Sequence, residues 1–191
     1  MKNSVTLDES LSIPNILENF IHEDKNPYLE IKQKLKNSKI KYIVTIARGS
    51  SDSAAMFGSY LFAKFLGLPT YSLPPSIITL EKSNFNFSHA LVIVISQSGR
   101  SKDLLYCENK CRSMGAKTIV LSNNLNSPFL KKADYFLFLN AGKEIGVAAT
   151  KTFVSTLLCI IKLVANICDN KKLINKIYDL PEILDKEQSN N

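Results

Sequence analysis

Ala90-Leu91-Val92-Ile93-Val94-Ile95 runs without a polar interruption into Ser96-Gln97-Ser98-Gly99. Six apolar residues in a row, four of them β-branched, predict a strand buried on both faces rather than one with a wet side. The polar stretch that follows closes on a glycine, and a helix ending near Gly115 is predicted beyond it. Strand, serine-rich turn and helix form the unit from which the rest of the chain can be read.

The same unit stands upstream. Lys41-Tyr42-Ile43-Val44-Thr45-Ile46 is a short β-rich run, followed by Ala47-Arg48-Gly49-Ser50-Ser51-Asp52-Ser53 and a helical segment to Gly67. Leu68 to Leu73, ended by Pro74-Pro75, predicts another strand, as do Lys117 to Leu121 and Tyr135 to Leu139. The loop Asn140 to Gly146 is expected to open a long helix from Val147 to Ile167. A last helix, Lys172 to Lys186, carries Pro181 and fades into a polar tail. Residues 1–40 read as two amphipathic helical pieces punctuated by Pro14 and Asn26-Pro27. Alternating strands and helices with buried-type strands predict an α/β fold: a three-layer α-β-α sandwich around a five-stranded parallel sheet, with right-handed crossovers. The expected organisation is an N-terminal helical segment at 1–40, the α/β domain at 41–168, and a C-terminal helix and tail at 169–191.

Bulk properties narrow the function classes. With 191 residues, 45% of them hydrophobic, and a mean hydropathy of −0.01, the chain suits one folded domain. Apolar runs fall short of the roughly 20 residues that span a bilayer, and Val154 to Ile167 is broken by Ser155, Thr156 and Lys162. Met1 to Ser12 carries Asp8 and Glu9 without an apolar core, so no secretory signal is expected. Together with the cysteines at 107, 111, 159 and 168, read as reduced thiols, this predicts a cytoplasmic protein. The net charge of +7 comes from scattered lysines, not from a stripe interleaved with aromatics. That argues against a nucleic-acid partner while favouring an anionic small molecule. Cys107 and Cys111 stand four apart on a helix, but no further Cys or His completes a set of ligands. Neither a metal nor a cofactor is expected.

Three stretches carry chemistry. Ser96-Gln97-Ser98-Gly99, with Ser101 just beyond, places hydroxyl and amide groups at a helix start. There the unpaired N–H groups and the dipole favour an anion, most naturally phosphate. The simpler alternative is a helix capped by Ser98 or Ser101. Gly49-Ser50-Ser51 repeats the pattern after the first strand, and both turns should emerge at the carboxyl edge of the sheet. Neither has Walker A spacing, and no GxGxxG is present, so a nucleotide is not indicated. In Ala141-Gly142-Lys143-Glu144-Ile145-Gly146-Val147-Ala148-Ala149-Thr150-Lys151-Thr152-Phe153, small residues leave room for a ligand. Glu144 reads either as a proton-transfer group or, more simply, as a carboxylate stabilising the helix start, with Lys151 at an interface. His22 and His89 read as surface residues.

In order and spacing these three stretches resemble the sugar isomerase (SIS) domain family, over about Lys41 to Ala165. The likeness is strongest to the first of the tandem domains in its glucosamine–fructose-6-phosphate aminotransferase branch and to the SIS-type glucosamine-6-phosphate deaminases. The resemblance implies a flavodoxin-like sheet and binding of an amino- or keto-hexose 6-phosphate. It also implies phosphate contacts from Ser50, Ser96, Gln97, Ser98 and Ser101, with Gly49, Ser51 and Gly99 shaping the turns. Val147 and Ala148 would offer backbone contacts to sugar hydroxyls. Ala149 stands where the aminotransferase pattern has serine, and Arg100 where an acidic residue is common. The groups tied to ring opening in the tandem enzymes lie in a second domain, which this chain is expected to lack.

Two main functions follow: an isomerase-, aminotransferase- or deaminase-type enzyme or its binding half, and a non-catalytic sugar-phosphate-sensing module. A sugar-responsive transcriptional regulator fits less well, because residues 1–40 are short for a DNA-binding domain. Family habit implies a homo-oligomer joined through the helices at Val147 to Ile167 and at the C-terminus.

Overall fold

The computed structural model describes residues 4–22, 26–36 and 38–189; parts of the segments expected at 1–40 and 169–191 lie outside them. Five strands, β1 (Tyr42–Ile46), β2 (Thr70–Ser72), β3 (Ala90–Ile95), β4 (Lys117–Ser122) and β5 (Tyr135–Phe138), form one parallel sheet in the order β2-β1-β3-β4-β5. The α/β sandwich predicted from the strand–helix alternation is the observed fold. Central β3 is buried along its whole length, pairing Tyr42 to Ile46 on one side and Lys117 to Leu121 on the other.

Side chains alternate across β3. Leu91, Ile93 and Ile95 enter one core, and Ala90, Val92 and Val94 enter the other. The bulkier set faces α3 (Asn26–Lys36), α4 (Ser50–Leu61) and α7 (Lys151–Ile167), which α2 (Ile13–Ile21) and α8 (Lys171–Ser189) cover in turn. The smaller set faces α5 (Pro75–Thr79) and α6 (Lys102–Ser113). Lys162, which interrupts the apolar pattern of α7, is buried. Its Nζ donates to the Phe20 carbonyl at 3.2 Å and lies 4.9 Å from the ring centres of Phe20 and Tyr28, so a polar acceptor and two π faces replace water around the charge.

Several boundaries differ from expectation. The N-terminal segment holds three helices rather than two, because α1 (Val5–Leu11) ends at Ser12 before Pro14 opens the next. The long helix begins at Lys151, not Val147, so Val147 and Ala148 belong to an extended loop. Composition cannot mark that start, since Val-Ala-Ala is compatible with helix; the hydrogen bonds described below hold it open. Helix α5 and a 3-10 turn at Pro128–Lys131 had no periodic signal long enough to read. Helix α7 packs mainly into the chain's own core. Among the described residues no helix is long and apolar enough to cross a membrane.

Cys107, Cys111 and Cys159 are fully buried and Cys168 is half-buried. Burial, reinforced by Asp103, pushes the Cys107 thiol up to about 11. Burial, with Cys107 and Glu108 adding to it, takes Cys111 to about 12. Both are therefore neutral, unreactive thiols at neutral pH. With a disulfide-exchange chromophore at pH 8, Cys168 should react first in the native protein and the other three only on unfolding. Ile93→Ala should lower stability by about 2–5 kcal/mol, seen as a lower urea midpoint with an unchanged slope.

Candidate functional site

In the order β2-β1-β3, chain direction through the sheet reverses between β1 and β3, which opens a crevice beyond their carboxyl ends. Both serine turns leave the sheet at this crevice. After β1, Gly49 adopts φ 58° and ψ −137°, a conformation strained for any residue with a Cβ, and lets α4 begin directly at Ser50. After β3, Ser96 continues the ladder to β4 through its N–H to the Leu121 carbonyl at 3.0 Å. The chain then folds back tightly, with the Gly99 N–H donating to the Ser96 carbonyl at 3.0 Å.

Gly99 cannot be replaced at no cost. Its φ is +62°, and a Cβ there would fall 2.6 Å from Ser122 Oγ and 2.8 Å from Ser127 Cβ. Ser127 Oγ donates to the Gly99 carbonyl at 2.7 Å, and Asn124 Nδ2 to the Ser98 carbonyl at 2.9 Å, so the turn is held from the β4 side. Ser101 sits at the N-cap of α6 without a side-chain capping bond, and Ser98 Oγ accepts the Arg100 N–H at 3.3 Å. Capping therefore does not account for these serines.

The two turns and the loop between β5 and α7 enclose one hollow of about 330 Å³. The structure brings Gly49, Ser50, Ser51, Ser96, Gln97, Ser98, Ser101 and Val147 to its wall. Gly99 lies beneath the turn it makes, and Ala148 is exposed outside the lining. Ser96 is 3% exposed, and its Oγ has no hydrogen-bond partner among the described residues. A buried hydroxyl without a partner costs free energy unless something else pairs with it. Ser96 belongs to the lining of the hollow, onto which two helix N-termini open.

The third wall is the loop from Asn140 to Thr150, and three side chains pin it. Asn123, at the end of β4, accepts the Ala141 N–H at 2.9 Å and donates to the Gly142 carbonyl at 2.7 Å. Glu144 accepts the N–H groups of Thr150 and Thr152 at 2.9 and 3.2 Å and also bonds both hydroxyls. It thus stabilises the start of α7, as its simpler reading had it, while still lining the hollow. Between them, Glu9 from α1 accepts the N–H groups of Ile145 at 2.6 Å and Gly146 at 3.0 Å. Lys151 Nζ lies 3.2 Å from the same carboxylate. The Ile145 N–H above all, with Gly146 and Lys151, holds the Glu9 carboxyl below its usual range against the opposing effect of burial.

Sequence reasoning missed Glu9 and Asn123, along with Thr156 in the lining, and quoted Thr152 and Phe153 within the third stretch without giving them a role. Arg48, quoted only as part of a motif, also lines the hollow and pairs with Asp103 at 3.1 Å. No local signal marks Glu9, because its partners lie more than a hundred residues away. His22 and His89 stand away from the hollow. Among the described residues of the lining, Arg48 and Glu144 are the only charged side chains.

The chain matches the SIS domain family model over residues 35–165. It is 36% identical over 148 residues to the glutamine–fructose-6-phosphate aminotransferase of Methanothermobacter thermautotrophicus, covering 78% of this chain and 25% of that enzyme. Its structure is similar to that of a protein assigned as a phosphosugar isomerase in Silicibacter pomeroyi, with a TM-score of 0.91 and 29% identity over 96% of this chain and 56% of that one. It is also similar to the C-terminal domain of glucosamine-fructose-6-phosphate aminotransferase from Francisella tularensis, with a TM-score of 0.76, 25% identity, and 97% and 53% coverage. The chain thus spans about a quarter of the length of the aminotransferase relative and about half of these solved chains.

Gly99→Ala should destabilise the protein by about 1–3 kcal/mol through strain at a position requiring positive φ, with the loss read from chemical denaturation.

Proposed function

Since the chain belongs to the SIS domain family, we propose that its hollow binds a phosphorylated sugar, an amino- or keto-hexose 6-phosphate, with the phosphate at the Ser50 and Ser96 turns. The observation that carries this reading is Ser96 in the lining between the Ser50 and Ser101 helix starts, with a buried hydroxyl that has no partner among the described residues. A phosphate there accepts hydrogen bonds from Ser50, Ser96, Gln97, Ser98 and Ser101 and from the first N–H groups of the helices. The helix dipoles and Arg48 offset its charge. Ser51 stands beside the phosphate, and Gly49 and Gly99 let the backbone turn close to it. The sugar extends toward Val147, whose exposed backbone meets hydroxyls, with Ala148 contributing from outside the present lining. Ala149 has no hydroxyl to offer, so one polar contact to the sugar is missing on that side.

The chemistry this ligand class invites is ring opening and proton transfer between C1 and C2, as in an isomerase, aminotransferase or deaminase, and it requires a positioned acid–base group. Of the two charged side chains in the lining, Arg48 is a poor proton carrier, and the Glu144 carboxylate is occupied by Thr150 and Thr152. This favours a second reading, in which the chain by itself binds or senses the sugar phosphate without turning it over. The related reading of self-association is supported by Met56, Tyr60, Tyr71 and Leu80, large side chains left exposed on the surface.

Titration calorimetry with fructose 6-phosphate and glucosamine 6-phosphate tests the binding. Ser96→Ala combined with Ser98→Ala should weaken it by about a hundredfold or more, as expected for two lost hydrogen bonds to a charged group at roughly 1.5–3 kcal/mol each. Unchanged binding would place the phosphate elsewhere. Product formation by the same pure sample separates an enzyme from a binding module.

A further inference from the structure

Helix α1 docks on the body of the protein in an unusual way. Glu9 is its one buried residue, while Val5, Leu7 and Leu11 are each nearly half exposed. A short helix normally docks by burying an apolar face. This one docks by a carboxylate that is 6% exposed and receives two consecutive backbone N–H groups and a lysine from the far end of the chain. Position 146 is matched to it. A Cβ on Gly146 would lie 2.7 Å from Glu9 Oε2, so only glycine allows the carboxylate to come this close.

We infer that Glu9 is a positioning residue: it clamps the Ile145–Gly146 backbone and so sets the sugar-facing wall of the hollow, leaving the phosphate-facing wall to the two serine turns. Gly146, whose own amide is clamped, and Val147 immediately after it line the hollow, whereas Glu9 does not. The carboxylate therefore acts through the loop and never touches the ligand. The serine turns are held independently, by Asn124 and Ser127 on the Ser98–Gly99 side and by the sheet itself. Losing the clamp should accordingly damage one wall and spare the other. This division of labour rests on the sugar-phosphate reading given above. It adds that selectivity for a sugar phosphate over bare phosphate is controlled from the N-terminal helix.

The test uses the full chain and two variants. Glu9→Gln keeps the shape, removes the charge and leaves one oxygen to serve two amides. Gly146→Ala keeps the charge but forces the carboxylate back. Hydrogen exchange on the unliganded protein comes first: both variants should lose protection at the Ile145 and Gly146 amides while those of β1 and β3 stay protected. Calorimetry with fructose 6-phosphate and with inorganic phosphate follows. In both variants the sugar phosphate should bind at least about tenfold more weakly, the equivalent of one charge-assisted hydrogen bond, with inorganic phosphate within about twofold of the parent. Unprotected Ile145 and Gly146 amides in the parent, an equal loss for both ligands, or no loss for either overturns the inference while leaving the phosphate site standing. A parent protein that binds no sugar phosphate overturns both.

Discussion

The parallel pairing of β1 with β3 is the constraint on which the rest of the molecule depends. Two strands buried on both faces must be covered by helices on both sides. The chain therefore leaves β1 toward one layer and β3 toward the other. Their carboxyl ends stay side by side while the helices that follow diverge, and the gap between them is the hollow. Ser50 and Ser96 come together for this reason alone, although more than forty residues separate them. The polar groups there are not capping devices: Ser101 makes no side-chain capping bond, and Ser96 Oγ is buried without a partner among the described residues. Polar groups left unpaired in this way cost stability.

The loop from Asn140 to Thr150 faces the opposite difficulty. It is rich in small residues, has no regular hydrogen bonding of its own, and must still form a wall. Three polar side chains hold it at its start, middle and end: Asn123, Glu9 and Glu144. Each comes from a different place, the end of β4, helix α1 and the loop itself. Rigidity is thus imported from neighbouring elements, so a loop whose backbone remains open to a ligand can keep one shape. The same bonds explain why α7 starts at Lys151: Glu144 satisfies the first amides of the helix and fixes where its N-terminus lies.

How much was legible in the sequence varied with the range of the interaction. The all-apolar run of β3 announced a buried central strand, and the alternation of strands with helices announced the layers. The serine–glycine composition of the two turns marked them as candidate anion-binding groups, and the family likeness rested on those same residues. By contrast, β2 is shorter than the apolar stretch around it, because an edge strand needs only three paired residues here. The N-terminal segment divided into three helices where its composition suggested two.

Local pattern alone therefore determined the fold class, the order of the strands along the chain, and which turns carry clustered hydroxyl and amide groups at a helix start. Tertiary structure decided that the two turns share one hollow, that Glu144 belongs to the start of a helix, and that Glu9 reaches across the molecule to hold the loop. The physical reason is the range over which each is encoded. Periodicity and turn chemistry are properties of neighbouring residues, whereas a carboxylate bonded to amides 136 and 137 positions away acquires its role only when the sheet has brought those segments into contact.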